Sequence, residues 1–579
     1  MRARLVTYGS IAAALVFALQ FVLMSVVFGA HVQPASAAAS GALWALGVAL
    51  SSRSRVAHGI FAAAAAALAV VQVHVFRYYH APLDVQVAAS AIHAWHDVRA
   101  VLARALGAVA LASAAAFAIE YALLAAAKRA IARPWPAALS LACVGAIALV
   151  AVRPREATPD IRGIHALRAL TDRREAPSAS AIALPPLHAD RDELPSILLV
   201  LTESVRASDY DDATAPARLG AVGRGRVDLR EMRSVSSYTA VSLSAILTGR
   251  SQEGAREDVL RAPSLFDFAH AARDARGRRP TIAYVSAQSA EVFESKDVRA
   301  AVDRFVTIET FTGKGEVPDD QSADYWVFRW ASEHLAEIPS PRIVVLHLID
   351  THAPYWLDDD DAPFRPYDHV VAWSRMDALH NAYKDAIYTQ DRRLARAVNA
   401  FVAQEHGPWM VVFTSDHGEA FGDHGAIHHG QNLFDEQVHV PAWIASSGSS
   451  DALVANADRF TTHLDLLPTM LDALGLWDNF AVAPYRATMR GRSLLRPWEP
   501  RGPIPVTNCT GMFPCPLNTW GVYEDDRKLV ARIYDGGWTC LALDDRRERE
   551  ADPDDPACAR LRDVSKRTFP LLPNGQPNR

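Results

Sequence analysis

The sequence predicts an N-terminal bundle of about five transmembrane helices, followed by an α/β layered domain that ends in a smaller antiparallel sheet. Three observations predict it. Long apolar runs are confined to residues 1–152, short apolar strands alternate with helical patterns from Pro195 onward, and the last hundred residues carry only short strand-like segments. At 579 residues the chain exceeds what one core usually holds, and its parts differ so much in composition that two domains are the minimum.

The apolar runs lie at about Leu5–Gly29, Ala37–Leu50, Val56–Phe76, Val101–Ala127 and Pro134–Val152, and most reach the roughly 20 residues that a helix needs to cross a bilayer. The second is short, and topology decides it. Arg2/Arg4, Arg53/Arg55 and Lys128/Arg129/Arg133 cluster at alternate ends of the runs, as positive charge on the cytoplasmic side should. Five spans with the N-terminus inside then place everything after Val152 outside the cytoplasm, the arrangement of a multi-pass protein in a bacterial-type inner membrane. A cleaved signal peptide over Met1–Ala38 is the competing reading of the first run, and the further runs speak against it. Residues 1–152 hold ten Lys/Arg and three Asp/Glu, so the rest holds 49 of the 59 basic and 62 of the 65 acidic side chains, a net charge of −13. No nucleic-acid partner is expected, and the chain is read as a monomer.

Between the third and fourth runs, Arg77–Arg99 is too polar to cross unaided, and its Tyr78, Tyr79 and Trp95 suit an interfacial anchor. Residues 153–193 read as a proline-rich linker around Ile161, Ile164, Leu167 and Leu170, whose helical spacing fits an amphipathic helix resting on the membrane or on the soluble domain. The third domain, 194–579, has strands expected at Ser196–Thr202, Thr281–Ser286, Arg342–Leu348, Trp409–Ser415 and Val440–Ala445, with helices such as Ala382–Gln404 between them. That alternation predicts a largely parallel sheet, with ligands beyond the C-terminal strand ends. Val506–Asn508, Trp520–Tyr523, Leu529–Tyr534 and Trp538–Leu543 form the strands of a C-terminal subdomain at about 500–579. Cys509, Cys515, Cys540 and Cys558 are an even number in a compartment that can oxidise them, and pairing 509 with 515 and 540 with 558 is the most local choice.

Glu203, Asp416 and His417 fall at predicted strand ends. An ionised carboxylate there is costly unless solvated, paired or bound to a cation. Two hard oxygens and one imidazole nitrogen make a donor set suited to zinc or manganese, with a position left open. The hydroxyl-rich segment from Ser234 to Ser242 runs directly into the helical pattern Leu243–Leu247, where backbone N–H groups would meet an incoming anion. Ordinary N-capping is the plainer use of such a segment.

Leu201-Thr202-Glu203-Ser204-Val205-Arg206-Ala207, Leu247-Thr248-Gly249-Arg250, Ser415-Asp416-His417-Gly418-Glu419, Val440-Pro441 and Asp465-Leu466-Leu467-Pro468-Thr469 together resemble the alkaline phosphatase superfamily. The resemblance is to its sulfatase-like branch, with the membrane phosphoethanolamine transferases and the lipoteichoic acid synthase-like phosphoglycerol transferases. It covers the chain from about Pro195 to the C-terminus and implies an alkaline-phosphatase-like fold. In sulfatases the nucleophile precedes the Arg of the LTGR motif by eleven residues, which leads from Arg250 to Thr239. Thr cannot become formylglycine, and no Arg stands four residues after Thr239. Thr202-Glu203, where sulfatases carry two acidic residues, likewise matches the transferases.

The resemblance implies metal ligation by Glu203, Thr239, Asp416 and His417, with Thr239 as nucleophile and His352 and His429 as catalytic partners. It implies a metal-dependent transferase that moves a phospho-alcohol from a phospholipid donor to an envelope lipid or glycan acceptor. A sulfatase-like hydrolase of sulfate esters, phosphodiesters or phosphonates is the alternative, and an inactive membrane sensor with the same fold is a second. His424 and Lys296 read as surface residues. Two departures stand out: no Cys occurs between Ser234 and Arg250 to bracket Thr239, and Arg490-Gly491-Arg492-Ser493-Leu494-Leu495 looks more like sulfatases.

Overall fold

The computed structural model describes residues 2–79 and 95–130 with short breaks, 157–166, and 183–569 with breaks near 252–260, 291–295, 314–320, 431, 510–516, 525, 532–537, 545–546 and 553. Among the described residues, four helices are long and apolar enough to cross a membrane: α1 (Arg2–Val27), α2 (Pro34–Ser51), α3 (Arg55–Tyr79) and α4 (Trp95–Ala127). The expected fifth run lies almost wholly outside the described residues, as do most of Arg77–Arg99 and residues 167–182. The short second run is a helix of 18 residues, begun by Pro34 at its first position.

Aromatic pairs fix which helix ends meet. Phe28, just past α1, stacks on Phe76 near the end of α3 with ring centroids 3.7 Å apart. At the other end of the bundle, His58 in the first turn of α3 lies 4.0 Å from the ring of Tyr121 and meets its carbonyl at 3.0 Å. The linker supplies a fifth helix, α5 (Pro159–Ala166), and it docks on the membrane helices. Asp160 Oδ2 accepts from Ser40 Oγ and Trp44 Nε1, both at 2.8 Å, and Ser36 Oγ accepts from the Thr158 N–H at 2.8 Å. Gln72 donates to the Pro159 carbonyl.

In the large domain a seven-stranded sheet runs in the order β2–β7–β6–β1–β5–β3–β4, where β1 is Ser196–Thr202, β2 Val227–Asp228, β3 Thr281–Ser286, β4 Arg304–Val306, β5 Arg342–His347, β6 Trp409–Ser415 and β7 Ala442–Ser446. The five strands from β6 to β4 are parallel, and β7 and β2 are added antiparallel at one edge. All seven residues of β1 are buried because both faces are covered. Leu198 and Val200 point into one apolar layer with α9 (Met376–Gln404) and α8 (Asp324–His334); Ile197, Leu199 and Leu201 point into the other with α6 (Thr239–Thr248), α7 (Leu265–Ala271) and α10 (Leu466–Ala473). Each such side chain contributes about 1.5–3 kcal/mol on burial, so β1 is the anchor of the fold.

The C-terminal subdomain is a five-stranded antiparallel meander, β8 (Ile504–Cys509), β9 (Leu517–Glu524), β10 (Arg527–Ala531), β11 (Trp538–Asp544) and β12 (Arg547–Glu550), backed by α11 (Pro556–Thr568). The Cys540–Cys558 disulfide ties β11 to α11. The other expected pairing involves Cys515, which is outside the described residues.

Candidate functional site

Sheet register creates the site. Thr202 at the end of β1 pairs with Ser415 at the end of β6, so the next residues, Glu203 and Asp416, emerge side by side. Ser415 Oγ joins the two ends further: it accepts from the Val205 N–H at 2.8 Å and donates to the His417 carbonyl at 2.8 Å. On the other flank of β1, Leu201 pairs with His347, and the loop after β5 carries Thr351 and His352 back over the strand ends. Thr351 Oγ1 donates to the Glu203 carbonyl at 2.6 Å.

Thr239 is the first residue of α6, so the helix begins four residues before the apolar pattern that announces it. Its hydroxyl donates to Glu203 Oε1 at 2.9 Å and lies 3.1 Å from His417 Nε2. His417 Nδ1 meets the Gly418 carbonyl at 3.0 Å, and a carbonyl only accepts, so the ring proton sits on Nδ1 and the Nε2 lone pair faces Thr239. Asp416 Oδ1 accepts from the Ser204 and His417 N–H groups at 3.0 and 2.7 Å. Its Oδ2 is 3.2 Å from His417 Nε2, sealed from solvent and without a hydrogen bond among the described residues. Burial pushes the Asp416 carboxyl up, against the pull of His417 and those N–H donors. The four residues thus converge, and their oxygens and single imidazole nitrogen fit a divalent cation: an orphaned carboxylate oxygen in a dry site is what a cation would satisfy.

His429 joins the same cluster. Ligand atoms of Glu203, His417 and His429 lie within 4.8 Å of one another, and the His417 and His429 rings are 4.2 Å apart. His429 Nδ1 is 3.3 Å from both Glu419 Oε1 and Ser204 Oγ. Burial beside His417 pushes His429 down to about 3, so it is neutral at ordinary pH; an Nδ1–H toward Glu419 leaves Nε2 as the basic nitrogen. Burial alone would raise Glu419, but His429 and His428 outweigh it and hold the carboxyl well below the usual range. The His352 ring is 5.1 Å from that of His429, and its Nδ1 meets the Ala353 carbonyl at 2.8 Å. His424 is half-exposed and paired with Glu436 at 3.1 Å, as a surface residue would be. Lys296 opens the short helix Lys296–Ala300.

Three residues to which the sequence reading gave no role support the cluster. Gln288, just past β3, donates to Glu203 Oε2. His347, the last residue of β5, points Nε2 at the same oxygen from 3.8 Å, while its Nδ1 meets Tyr284 OH at 3.1 Å and Ser286 Oγ at 3.0 Å. Burial pushes His347 down to about 3, and its Nε2, beyond hydrogen-bond distance of the carboxylate, has no hydrogen bond among the described residues. Glu419 is the third. The SDHGE motif signalled its place, but not its role as the partner of two histidines.

The backbone here is tight. Ser204, Tyr355, His424 and His428 have φ of 62°, 59°, 47° and 66°, a left-handed conformation that non-glycine residues rarely adopt and that clusters at functional sites. A Cβ on Gly418 would lie 2.4 Å from the Glu436 carbonyl oxygen, which explains the glycine of the SDHGE motif.

Residues 195–476 match the family model described as Sulfatase. The domain belongs to the sulfatase branch of the alkaline phosphatase superfamily. The sulfatase domain is 30% identical over 172 residues to the uncharacterized sulfatase YidJ of Escherichia coli strain K12, covering 28% of this chain and 31% of that one. It is 28% identical over 138 residues to the phosphatidylethanolamine transferase Mcr-2 of Escherichia coli, covering 22% and 26%. The chain thus spans under a third of either relative. The solved integral membrane lipooligosaccharide phosphoethanolamine transferase A of Neisseria meningitidis aligns with 83% of this chain and 96% of its own, at a TM-score of 0.56 and 16% identity. That likeness establishes a shared fold, with a sulfatase domain joined to membrane helices.

Proposed function

We propose that this chain is a membrane-anchored, metal-dependent transferase that moves a phospho-alcohol group, of the phosphoethanolamine or phosphoglycerol type, from a phospholipid to an envelope lipid or glycan through a phosphothreonine intermediate. The observation that carries this reading is the Thr239 hydroxyl, held between Glu203 Oε1 and His417 Nε2 at the first residue of α6. The N–H groups of that first turn lie where the oxygens of an attacked phosphate would come to rest. The relative described as a phosphatidylethanolamine transferase supports the choice of transferred group.

Glu203, Thr239, Asp416 and His417 would hold the cation, zinc or manganese, which when bound lowers the pKa of the hydroxyl. Thr239 Oγ1 forms a bond to the phosphorus of the donor as the bond from phosphorus to the diacylglycerol oxygen breaks. The hydroxyl proton passes to the basic Nε2 of His429 or His352 and from there to the departing oxygen. In the second half the same nitrogen takes the proton of the acceptor hydroxyl, whose oxygen displaces Thr239, and returns it to the Thr239 oxygen. Glu419 keeps the His429 ring oriented through both halves.

Intact-mass measurement after incubation with phospholipids of defined headgroup tests the reading. A mass added at Thr239 identifies the group, and Thr239→Ala should carry none and turn over nothing. Unchanged turnover in that variant removes Thr239 as nucleophile. Discharge of the loaded protein by water at the full rate, with no gain from an acceptor glycolipid, would instead favour the hydrolase.

The bundle supports an extracytoplasmic site. The end of α1, the start of α2, the end of α3 and helix α5 meet at one end of the bundle, through Phe28–Phe76, Ser36–Thr158, Gln72–Pro159 and Asp160. Lys128 and Arg129 follow α4 at the opposite end, where His58 meets Tyr121. The positive end is the cytoplasmic one. This arrangement supports the reading of five crossings with the catalytic domain outside the cytoplasm.

A further inference from the structure

A buried asparagine of the C-terminal sheet joins the segment leading to Thr239 to the segment following His429. Asn508, on β8, is fully buried. Its Nδ2 donates to Ser237 Oγ at 2.9 Å, and its Oδ1 accepts from Ser236 Oγ at 3.0 Å. Ser237 Oγ donates onward to the Asn432 carbonyl at 2.6 Å, and Ser236 Oγ accepts from the Tyr238 N–H at 3.1 Å. Every proton in this chain has one direction: from the backbone before Thr239, through Ser236 to the amide oxygen, and from the amide nitrogen through Ser237 to the loop after His429. Reversing the amide would leave the Ser237 hydroxyl choosing between two acceptors, so the network itself assigns the orientation.

Ser236 and Ser237 stand three and two positions before the proposed nucleophile, and Asn432 three after His429. Ser236, Ser237 and Asn508 are all sealed from solvent. The Thr507 N–H reinforces the same contact by donating to the Val235 carbonyl at 3.0 Å. The far end of the His429 loop is held separately by Lys528 on β10, which donates to the Leu433 carbonyl at 2.8 Å.

We infer that Asn508 is a positioning residue, through which the C-terminal sheet holds the nucleophile and the general-base histidine in register with each other. Such a link acts on the relative placement of Thr239 and His429 and touches neither substrate nor cation. Outer partners of this kind typically alter metal affinity or activity by about 10–100-fold when removed. The inference rests on the site proposed above.

The test uses the full-length chain purified in detergent micelles, with zinc and phosphatidylethanolamine as probes. Asn508→Leu removes both bonds. It should raise hydrogen exchange in the peptides covering 234–242 and 429–437 together, and lower turnover about 10-fold or more with KM for the lipid within about 3-fold. Asn508→Asp, nearly isosteric, keeps the acceptor for Ser236 but turns the donor into a second acceptor. Ser237 is then drawn off Asn432, so exchange should rise in 429–437 while 234–242 changes by less than about 2-fold. Exchange confined to β8–β12 in both variants, or equal loss in both peptides for Asn508→Asp, would overturn the inference. A wild-type protein that takes up no zinc and turns over no lipid would refute the proposed function instead, and the exchange pattern would still decide the tie.

Discussion

His347 illustrates how a residue that touches neither nucleophile nor substrate can govern a site. Tyr284 and Ser286 occupy its Nδ1, which aims Nε2 at Glu203 Oε2 from 3.8 Å. His347→Leu should therefore weaken zinc binding about 10–100-fold, measured by competition with a chelator, while His347→Gln recovers part of the loss. The same Leu variant removes one hydrogen-bond partner of the buried Tyr284 hydroxyl, at about 0.5–1.5 kcal/mol of stability. Equal zinc affinity in wild type and His347→Leu would show that Gln288 alone holds the carboxylate. Glu203, Asp416 and His417 were legible from sequence because charged residues at the ends of fully apolar strands are conspicuous. His347, Gln288 and Asn508 were not, since each owes its place to pairing between segments far apart in the chain, and none stands out from its neighbours.

At the scale of elements, the buried charges between the sulfatase core and the C-terminal sheet set the response to pH. Burial alone would raise Asp435, but Arg233 and Lys528 outweigh it and hold the carboxyl well below the usual range; they lie 2.8 and 2.9 Å away. A depressed carboxyl contributes stability that is complete above about pH 4 and is lost as pH falls through the folded value. Asp435→Asn should therefore flatten the acid limb of the stability curve and destabilise the domain by about 3–5 kcal/mol near neutrality, because it strips buried cations of a counter-charge. Glu548, the second acid on Lys528, runs the other way: burial first, then Asp435, push it up to about 8. Its folded form binds a proton that the unfolded chain releases, so its contribution is full below about pH 4 and erodes as pH rises toward 8. Glu548→Gln should remove that alkaline slope in denaturant titrations taken at successive pH values. The longer elements of this region were readable from sequence and the shorter ones were not. β12, Arg547-Glu548-Arg549-Glu550, has no apolar alternation, while β2 and β4 are two and three residues long and form by adding to an edge. Helix α6 starts at Thr239, four residues before Leu243, and Tyr238 precedes it without a side-chain cap, so no local signal marks the boundary.

For the whole molecule, the charge pattern along the apolar runs carried more topological information than hydropathy did. It required a helix from the short second run, and that helix supplies Ser36, Ser40 and Trp44 to α5. Single cysteines at Ser52 and Asp190 should react with impermeant maleimide from opposite faces of oriented vesicles. Labelling of both from one face would reverse the proposed side of the catalytic domain. The docking of α5 has one more consequence. With that helix pinned to the bundle, only residues 167–182 connect it to the described start of the sulfatase domain, and sixteen residues span at most about 55 Å. A tether of that length keeps the domain at a millimolar-scale effective concentration relative to its own membrane. Severing it with a protease site placed within 167–182 should slow turnover of bilayer lipid far more than turnover of a short-chain soluble donor, and the ratio of the two rates measures what the anchor contributes.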